Sequence, residues 1–249
     1  MISKDSSLLI EIARCPNVKL CLDQPNNNHH PCSKIVSAQN TTIDAFHLPE
    51  PWNGEIDTAP ILFVSSNPSI NANELYPSWS WSDSQVIDNF NNRFSKNWVK
   101  VENNRYYPKL NDGTYAKANT YWGKVRNHAE IIMQRKVVAG KDFALTEVVH
   151  CKSVNEIGVK EAILECGKYL PKILELSQAS VIVVVGKKAD PIVKNYMGFP
   201  GNKTRFIKTD NRHWVFVDHS YSPYVLLENC LTQSELKQIQ KAAQRQENL

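Results

Sequence analysis

Short apolar runs alternate with amphipathic stretches along most of this chain. ILFVSS (61–66), bounded by Pro60 and Asn67-Pro68, reads as a buried strand and its exit turn. Further strands are predicted over 143–149, over VIVVV (181–185) and over WVFVDHS (214–220). Helical spacing predicts helices over SSLLIEIARC near the start, then 83–95, 121–137, 159–177 and 187–197. A capping box, Thr232-Gln-Ser-Glu235, opens a last amphipathic helix over 232–249. Residues 26–51 are polar and rich in Asn and Pro and read as loop, and 70–118 read as loops around one helix.

Apolar strands alternating with helices predict an α/β fold: a single three-layer domain over 1–249, with a short, mainly parallel sheet covered by helices on both faces. Residues 1–35 add a Cys-containing N-terminal segment. In such sheets ligands gather at the carboxyl ends of the strands. Those ends are Ser65-Ser66-Asn67-Pro68, His150-Cys151, Gly186-Lys187-Lys188 and His219-Ser220.

Composition narrows the classes. A chain of 249 residues with 42% hydrophobic content can build an enzyme-sized core. The net charge of +4 permits nucleic acid as a partner without requiring it. The N-terminus lacks the pattern of a signal peptide and no apolar run is long enough to span a membrane, so a cytoplasmic location without membrane contact is expected. A monomer is the expectation for assembly. In a reducing compartment six cysteines point to metal binding or catalysis, with scattered buried thiols as the alternative.

One strand is odd. ALTEVVHCKS (144–153) carries Glu147 where an apolar residue is expected, and ends on His150-Cys151. A buried ion pair of Glu147 with His150, Lys187 or Lys188 is one explanation, and a ligand contact is another.

Taken in order, several segments resemble the uracil-DNA glycosylase superfamily. ILFVSSNPS is similar to its first motif, written GINPG in mismatch-specific members and GEAPG in iron–sulfur members. NTYWGKV (119–125) resembles NRFWK, and FALTEVVHCKS resembles ITNVVKCRP. CGKYLPKILELSQASVIVVVGKKA (166–189) resembles the iron–sulfur group's stretch from its cysteine to the third strand, and VDHSYSPYVLL (217–227) sits where HPSYLL does. The likeness covers roughly 60–230 and is closest to the iron–sulfur group.

The resemblance implies a DNA glycosylase that hydrolyses the N-glycosidic bond of a flipped, damaged or modified base, with damaged or single-stranded DNA as partner. Asn67 would orient the attacking water and His219 would stabilise the departing base. Ser66, Tyr121 and Glu147 would bind the base, Tyr121 by stacking. Ser69, Lys152, Lys187, Lys188, Ser220 and Ser222 would contact the DNA backbone. Cys15, Cys21, Cys151 and Cys166, with Cys32 as substitute, would hold a [4Fe–4S] cluster, or less readily zinc. Cys151 and Cys166 have fourteen residues between them, close to the family's spacing. The N-terminal pair departs from the family's C-x-x-C.

Three residues keep a second reading. Asn67-Pro68 also fits a simple chain turn, which is a frequent use of that dipeptide. Tyr121 and Trp122 can both be core, and His219 can be structural. Glu147 stands where uracil enzymes carry Asn. An ionised carboxylate only accepts hydrogen bonds, so it would favour a base edge of donors over uracil, whereas a protonated one could mimic part of the amide pattern. A weak or inactive DNA-binding relative, or a nucleoside or nucleotide hydrolase, are the other functions the sequence allows. The pair Trp79 and Trp81 lies in a loop that could close over a ligand.

Overall fold

Ile61 and Phe63 face one way from a five-residue strand, and Leu62 and Val64 the other; all four are completely buried. That doubly apolar pattern places the strand mid-sheet with helices on either side. The computed structural model describes residues 4–23, 29–96, 98–201, 203–217 and 227–246. His219, Ser220 and Ser222 lie outside them.

The strands are β1 (Trp52–Asn53), β2 (Ile61–Ser65), β3 (Val99–Glu102), β4 (Arg105–Pro108), β5 (Phe143–Glu147), β6 (Val181–Val185), β7 (Phe206–Lys208) and β8 (His213–Val217). Six of them form one sheet in the order β1-β5-β2-β6-β8-β7. The inner four are mutually parallel, and β1 and β7 close the edges antiparallel. The α/β three-layer expectation holds. The chain steps from β2 to β5 on one side and then back across it to β6 on the other. The connection after β2 and the connection from β6 to β8 therefore leave in opposite directions and open a crevice at the carboxyl ends of those two strands.

The helices are α1 (Lys4–Ala13), α2 (Pro16–Asp23), α3 (Ser33–Ser37), α4 (Asp83–Asn91), α5 (Thr120–Met133), α6 (Val159–Cys166), α7 (Tyr169–Leu176), α8 (Ala189–Met197), α9 (Leu227–Cys230) and α10 (Gln233–Gln246). Apolar residues of α1, α4, α7 and α8 cover the face carrying Leu62 and Val64. α5 and α10 cover the face carrying Ile61 and Phe63. The α10 capping box forms as read: the Thr232 amide and hydroxyl donate to Glu235, and the Glu235 amide donates to the Thr232 hydroxyl. A third core, beyond the strand ends, gathers five cysteines with Val18, Ile35, Val149 and Val159. Among the described residues no helix is long and apolar enough to cross a membrane.

Several details differ from the pattern. The stretch after Cys15 is the helix α2, and 26–51 contains α3. The hairpin of β3 and β4 lies within 70–118, where strand periodicity is weak. One predicted helix is two, broken between Cys166 and Tyr169, where a side chain on Gly167 would run into the Tyr196 hydroxyl at 2.1 Å. Trp79 and Trp81 pack toward α1 instead of covering a ligand site: Arg14 lies over the Trp79 ring at 5.5 Å and donates to both backbone carbonyls. Trp81 in turn meets Trp98, 5.4 Å between centroids.

Gly158 fixes the loop between β5 and α6 against α3. Its φ of +76°, and a distance of 2.4 Å from a built Cβ to the Ile35 nitrogen, leave no room for a side chain. Gly158→Ala is expected to destabilise the protein by about 2 kcal/mol or more, read as a lower urea midpoint with an unchanged slope.

Candidate functional site

The loops leaving β2 and β5 run side by side past the end of the sheet. The strand pairing Ser65↔Glu147 continues as backbone bonds from Val148 N to Ser65 O (2.9 Å), Val149 N to Ser66 O (2.9 Å) and Ser153 N to Pro68 O (3.2 Å). Side chains extend the same seam. Asn67 Nδ2 donates to Pro68 O (3.0 Å), Cys151 O (3.4 Å) and Ser153 Oγ (3.0 Å). Ser66 Oγ donates to Glu156 Oε1 at 2.7 Å, and Lys152 Nζ donates to Ser69 O at 3.1 Å.

A cleft of about 500 Å³ opens at this seam. Ser65, Ser66, Asn67, Ser69, Tyr121 and Glu147 all line it, so every described base-binding or catalytic residue expected from the sequence converges there. The amide nitrogen of Asn67 is occupied by backbone and Ser153, which leaves its carbonyl oxygen as an acceptor for a water in the cleft. Asn119 caps α5 by accepting from the Tyr121 and Trp122 amides at 3.0 and 3.3 Å, and so aims the start of that helix at the cleft. Trp122 is buried in the core, as the second reading of that pair allows, and Tyr121 is half-buried on the cleft wall.

Glu147 does not pair with His150, Lys187 or Lys188. His150 Nδ1 bonds the Glu50 carbonyl at 2.9 Å, burial pushes this histidine down to about 4, and Lys188 pairs with Glu156 at 2.6 Å. The partner of Glu147 is the Ser65 hydroxyl, which donates to Oε2. Burial and the nearby Glu147 carboxyl push the Tyr121 phenol up. Glu147 is 5% exposed and has no cation within ion-pair distance among the described residues. Burial, reinforced by the negative Glu50 and Glu156 and only partly offset by Ser65 and Lys152, pushes its carboxyl from 4.5 up to about 8. Burial therefore favours the protonated carboxyl at neutral pH, which can donate as well as accept, with Oε2 accepting from Ser65.

Lys152 is also corrected. It is 3% exposed, with Nζ 3.5 Å from Glu50 Oε2 and 3.6 Å from Glu74 Oε2, and cannot present itself to a DNA backbone on the surface. Arg93 completes this buried network by bonding Glu74 and lying 3.9 Å from Glu50. Tyr76 donates to Glu50 at 2.9 Å, and its ring lies under Lys152 (4.0 Å) and Arg93 (4.8 Å). Two carboxylates and two cations balance. Burial opposes the Glu50 charge, but Lys152 and Arg93 outweigh it and hold the carboxyl below its ordinary range. Glu50, Glu74 and Arg93 line the cleft, and the sequence reading missed all three. Glu50 and Glu74 lie in segments read as loop and Arg93 near the end of a predicted helix, and nothing in their spacing signals that they meet.

Lys187 and Lys188 are exposed where the chain leaves β6, and Ser69 is exposed on the β2 exit loop. Behind the cleft, Cys15, Cys32, Cys151 and Cys166 line one small cavity with apolar walls from Ile12 and Val18. Cys32 takes the place expected of Cys21, whose sulfur lies 3.5 Å from His30 Nδ1 and accepts from Ser33 at 3.8 Å. Four thiols are the soft donor set that an iron–sulfur cluster or zinc requires. As they stand, the room between them is about 10 Å³, one water's worth, and no group of three or more His, Cys, Asp or Glu among the described residues is arranged as a metal site. Burial first, then the neighbouring thiols, keep Cys151 protonated and push Cys166 up to about 12.

The raised Glu147 carboxyl has a signature in stability. Below about pH 4.5 both folded and unfolded states hold the proton. From there to about pH 8 the unfolded chain ionises first, so stability falls as pH rises, and above about 8 the loss is complete. Glu147→Gln keeps a donor and an acceptor without the charge. The variant is expected to match the wild type in Tm near pH 4 and to exceed it by several degrees near pH 9, as scanning calorimetry at both pH values would show.

No protein-family model and no curated protein sequence matches the chain.

Proposed function

We propose that this protein is a nucleobase-excising N-glycosyl hydrolase that works on DNA. The observation that carries the proposal is the convergence of Asn67, Tyr121, Ser66 and Glu147 on one cleft at the carboxyl end of β2. Cleaving an N-glycosidic bond needs an oriented water on one side and a hydrogen-bond donor for the leaving base on the other. Asn67 supplies an acceptor for the water, held rigidly by Cys151 and Ser153. Tyr121 supplies the wall against which a flipped base stacks. Glu147 reads the base edge: the neutral acid suits an edge with one donor and one acceptor, and the carboxylate, above about pH 8, suits an edge of donors such as amino groups. The donor to the departing base is assigned to His219 from the family likeness alone.

A [4Fe–4S] cluster held by Cys15, Cys32, Cys151 and Cys166 belongs to the same proposal, supported by the soft donor set and its burial. Its role would be to pin the N-terminal segment to the loop after β5. Protein purified without oxygen is expected to absorb broadly near 400 nm and to carry about four irons per chain. Iron- and zinc-free protein that is fully folded, with all thiols titrating freely, would remove the cluster from the proposal.

The activity test is base release from single- and double-stranded oligonucleotides carrying uracil, deaminated purines or modified cytosines, assayed near pH 6 and pH 9. Asn67→Ala is expected to keep oligonucleotide binding and to lose at least about 100-fold in release rate. Equal, minimal release by wild type and variant, with binding retained, would leave a DNA-binding module and no enzyme.

A further inference from the structure

The loop between β5 and α6 carries a carboxylate that the hydrolytic chemistry does not use. Glu156 Oε1 accepts from Ser66 Oγ at 2.7 Å, and Oε2 meets Lys188 Nζ at 2.6 Å. The two donors leave different strands, Ser66 after β2 and Lys188 after β6, and the carboxylate reaches across to both from a third loop. This places an internal anion at the mouth of the crevice, beside the cleft wall that Ser66 forms.

Local preference does not put Glu156 there. Its φ is +56°, that of Asn155 is +51°, and Gly158 follows at +76°. The left-handed region suits glycine and tolerates asparagine but is unfavourable for glutamate. Backbone bonds from Ile157 N to Val154 O (3.1 Å) and from Val159 N to Glu156 O (3.4 Å) close this turn, and the side chain adds its two contacts to them. Partial burial works against the charge, but the bonds from Lys188 and Ser66 outweigh it and keep the carboxyl below its ordinary range. At neutral pH Glu156 is an anion filling a two-donor site.

A hydroxyl and an ammonium converging on one anion are also a donor set that suits a phosphate diester. We propose that Ser66 and Lys188 form a phosphate subsite that Glu156 occupies in the free protein, and that a backbone phosphate of bound nucleic acid displaces it. This inference rests on the nucleic-acid reading above. The exchange is local. Ser153 still holds Asn67, and Lys152 still holds Glu50 and Glu74, when the tip of the loop lets go. The contact is also weak enough to exchange, since the Lys188 and Glu156 side chains are 51% and 39% exposed. Glu156 thereby screens out single weak anions, while a polyanion that also meets neighbouring cations such as Lys187 outcompetes it.

The test is fluorescence anisotropy of a labelled oligothymidylate across a salt series, with wild type, Glu156→Gln, Glu156→Ala, Lys188→Ala and the Glu156→Gln/Lys188→Ala double variant. Both Glu156 variants are expected to bind about three- to fivefold more tightly at low salt, the scale of an exposed ion pair. Their log–log salt dependence is expected to steepen by about 0.7, one phosphate contact on a single strand. The gain should vanish in the Lys188→Ala background, which separates a subsite from a general change of charge. If wild type binds and the Glu156 variants match it in affinity and slope, the subsite is wrong and the nucleic-acid reading stands. Weaker binding by variants that keep the wild-type Tm also overturns it, because Glu156 then supports the site. Absence of binding by every form at low salt overturns the nucleic-acid reading itself.

Discussion

The parallel pairing of β2 with β5 is the constraint on which the site depends. Fixing Ser65 opposite Glu147 decides more than the sheet, because the two chains stay in step for several residues beyond it. Asn67, Ser66 and Ser69 are then each held by a residue of the 151–156 segment. A slip of one residue would turn Glu147 to the opposite face of the sheet and break every one of these contacts. Both strands are buried on both faces, so what opposes the slip is the fit of differently shaped side chains in the two packed cores.

Charge is treated in two opposite ways within a few ångströms. Glu50, Glu74, Arg93 and Lys152 are buried as a balanced set, with Tyr76 and Asn53 supplying further hydrogen bonds to Glu50. Burying ions is costly unless they are paired and hydrogen-bonded; every member of this set is paired, although Arg93 Nε and Nη1 lack hydrogen-bond partners. Glu147 is buried with one hydroxyl and no cation, so it gives up its charge instead. The balanced set ties the segment around β1 and the long segment before α5 to the sheet. The unbalanced acid faces the cleft, and a protein that keeps such a group accepts lower stability at alkaline pH in return for a donor inside its cleft.

One loop serves both the cleft and the cysteine cavity. It begins at Cys151, runs through Lys152, Ser153 and Glu156, packs Gly158 on α3, and leads into the helix that ends at Cys166. Anything that tightens the thiols therefore steadies the residues that hold Asn67. The physical connection is short: Cys151 offers its side chain to the cavity and its carbonyl to Asn67.

Local pattern determined the parallel α/β architecture, the positions of β2, β5, β6 and most long helices, and the clustering of candidate residues at strand ends. It could do so because a doubly buried strand must be continuously apolar and an amphipathic helix must repeat every 3.6 residues. The edge strands β1 and β7, of two and three residues, are too short to carry a period. Only the tertiary structure decided that Lys152 is buried, that Cys32 lines the cavity with Cys15, Cys151 and Cys166, that Trp79 and Trp81 belong to the α1 side, and that Glu50, Glu74 and Arg93 border the cleft. It also decided that Glu147 is buried without a cation, which raises its carboxyl. Protonation and pairing depend on which distant residues come near and how much water they exclude, and neither quantity is written in the spacing of residues along the chain.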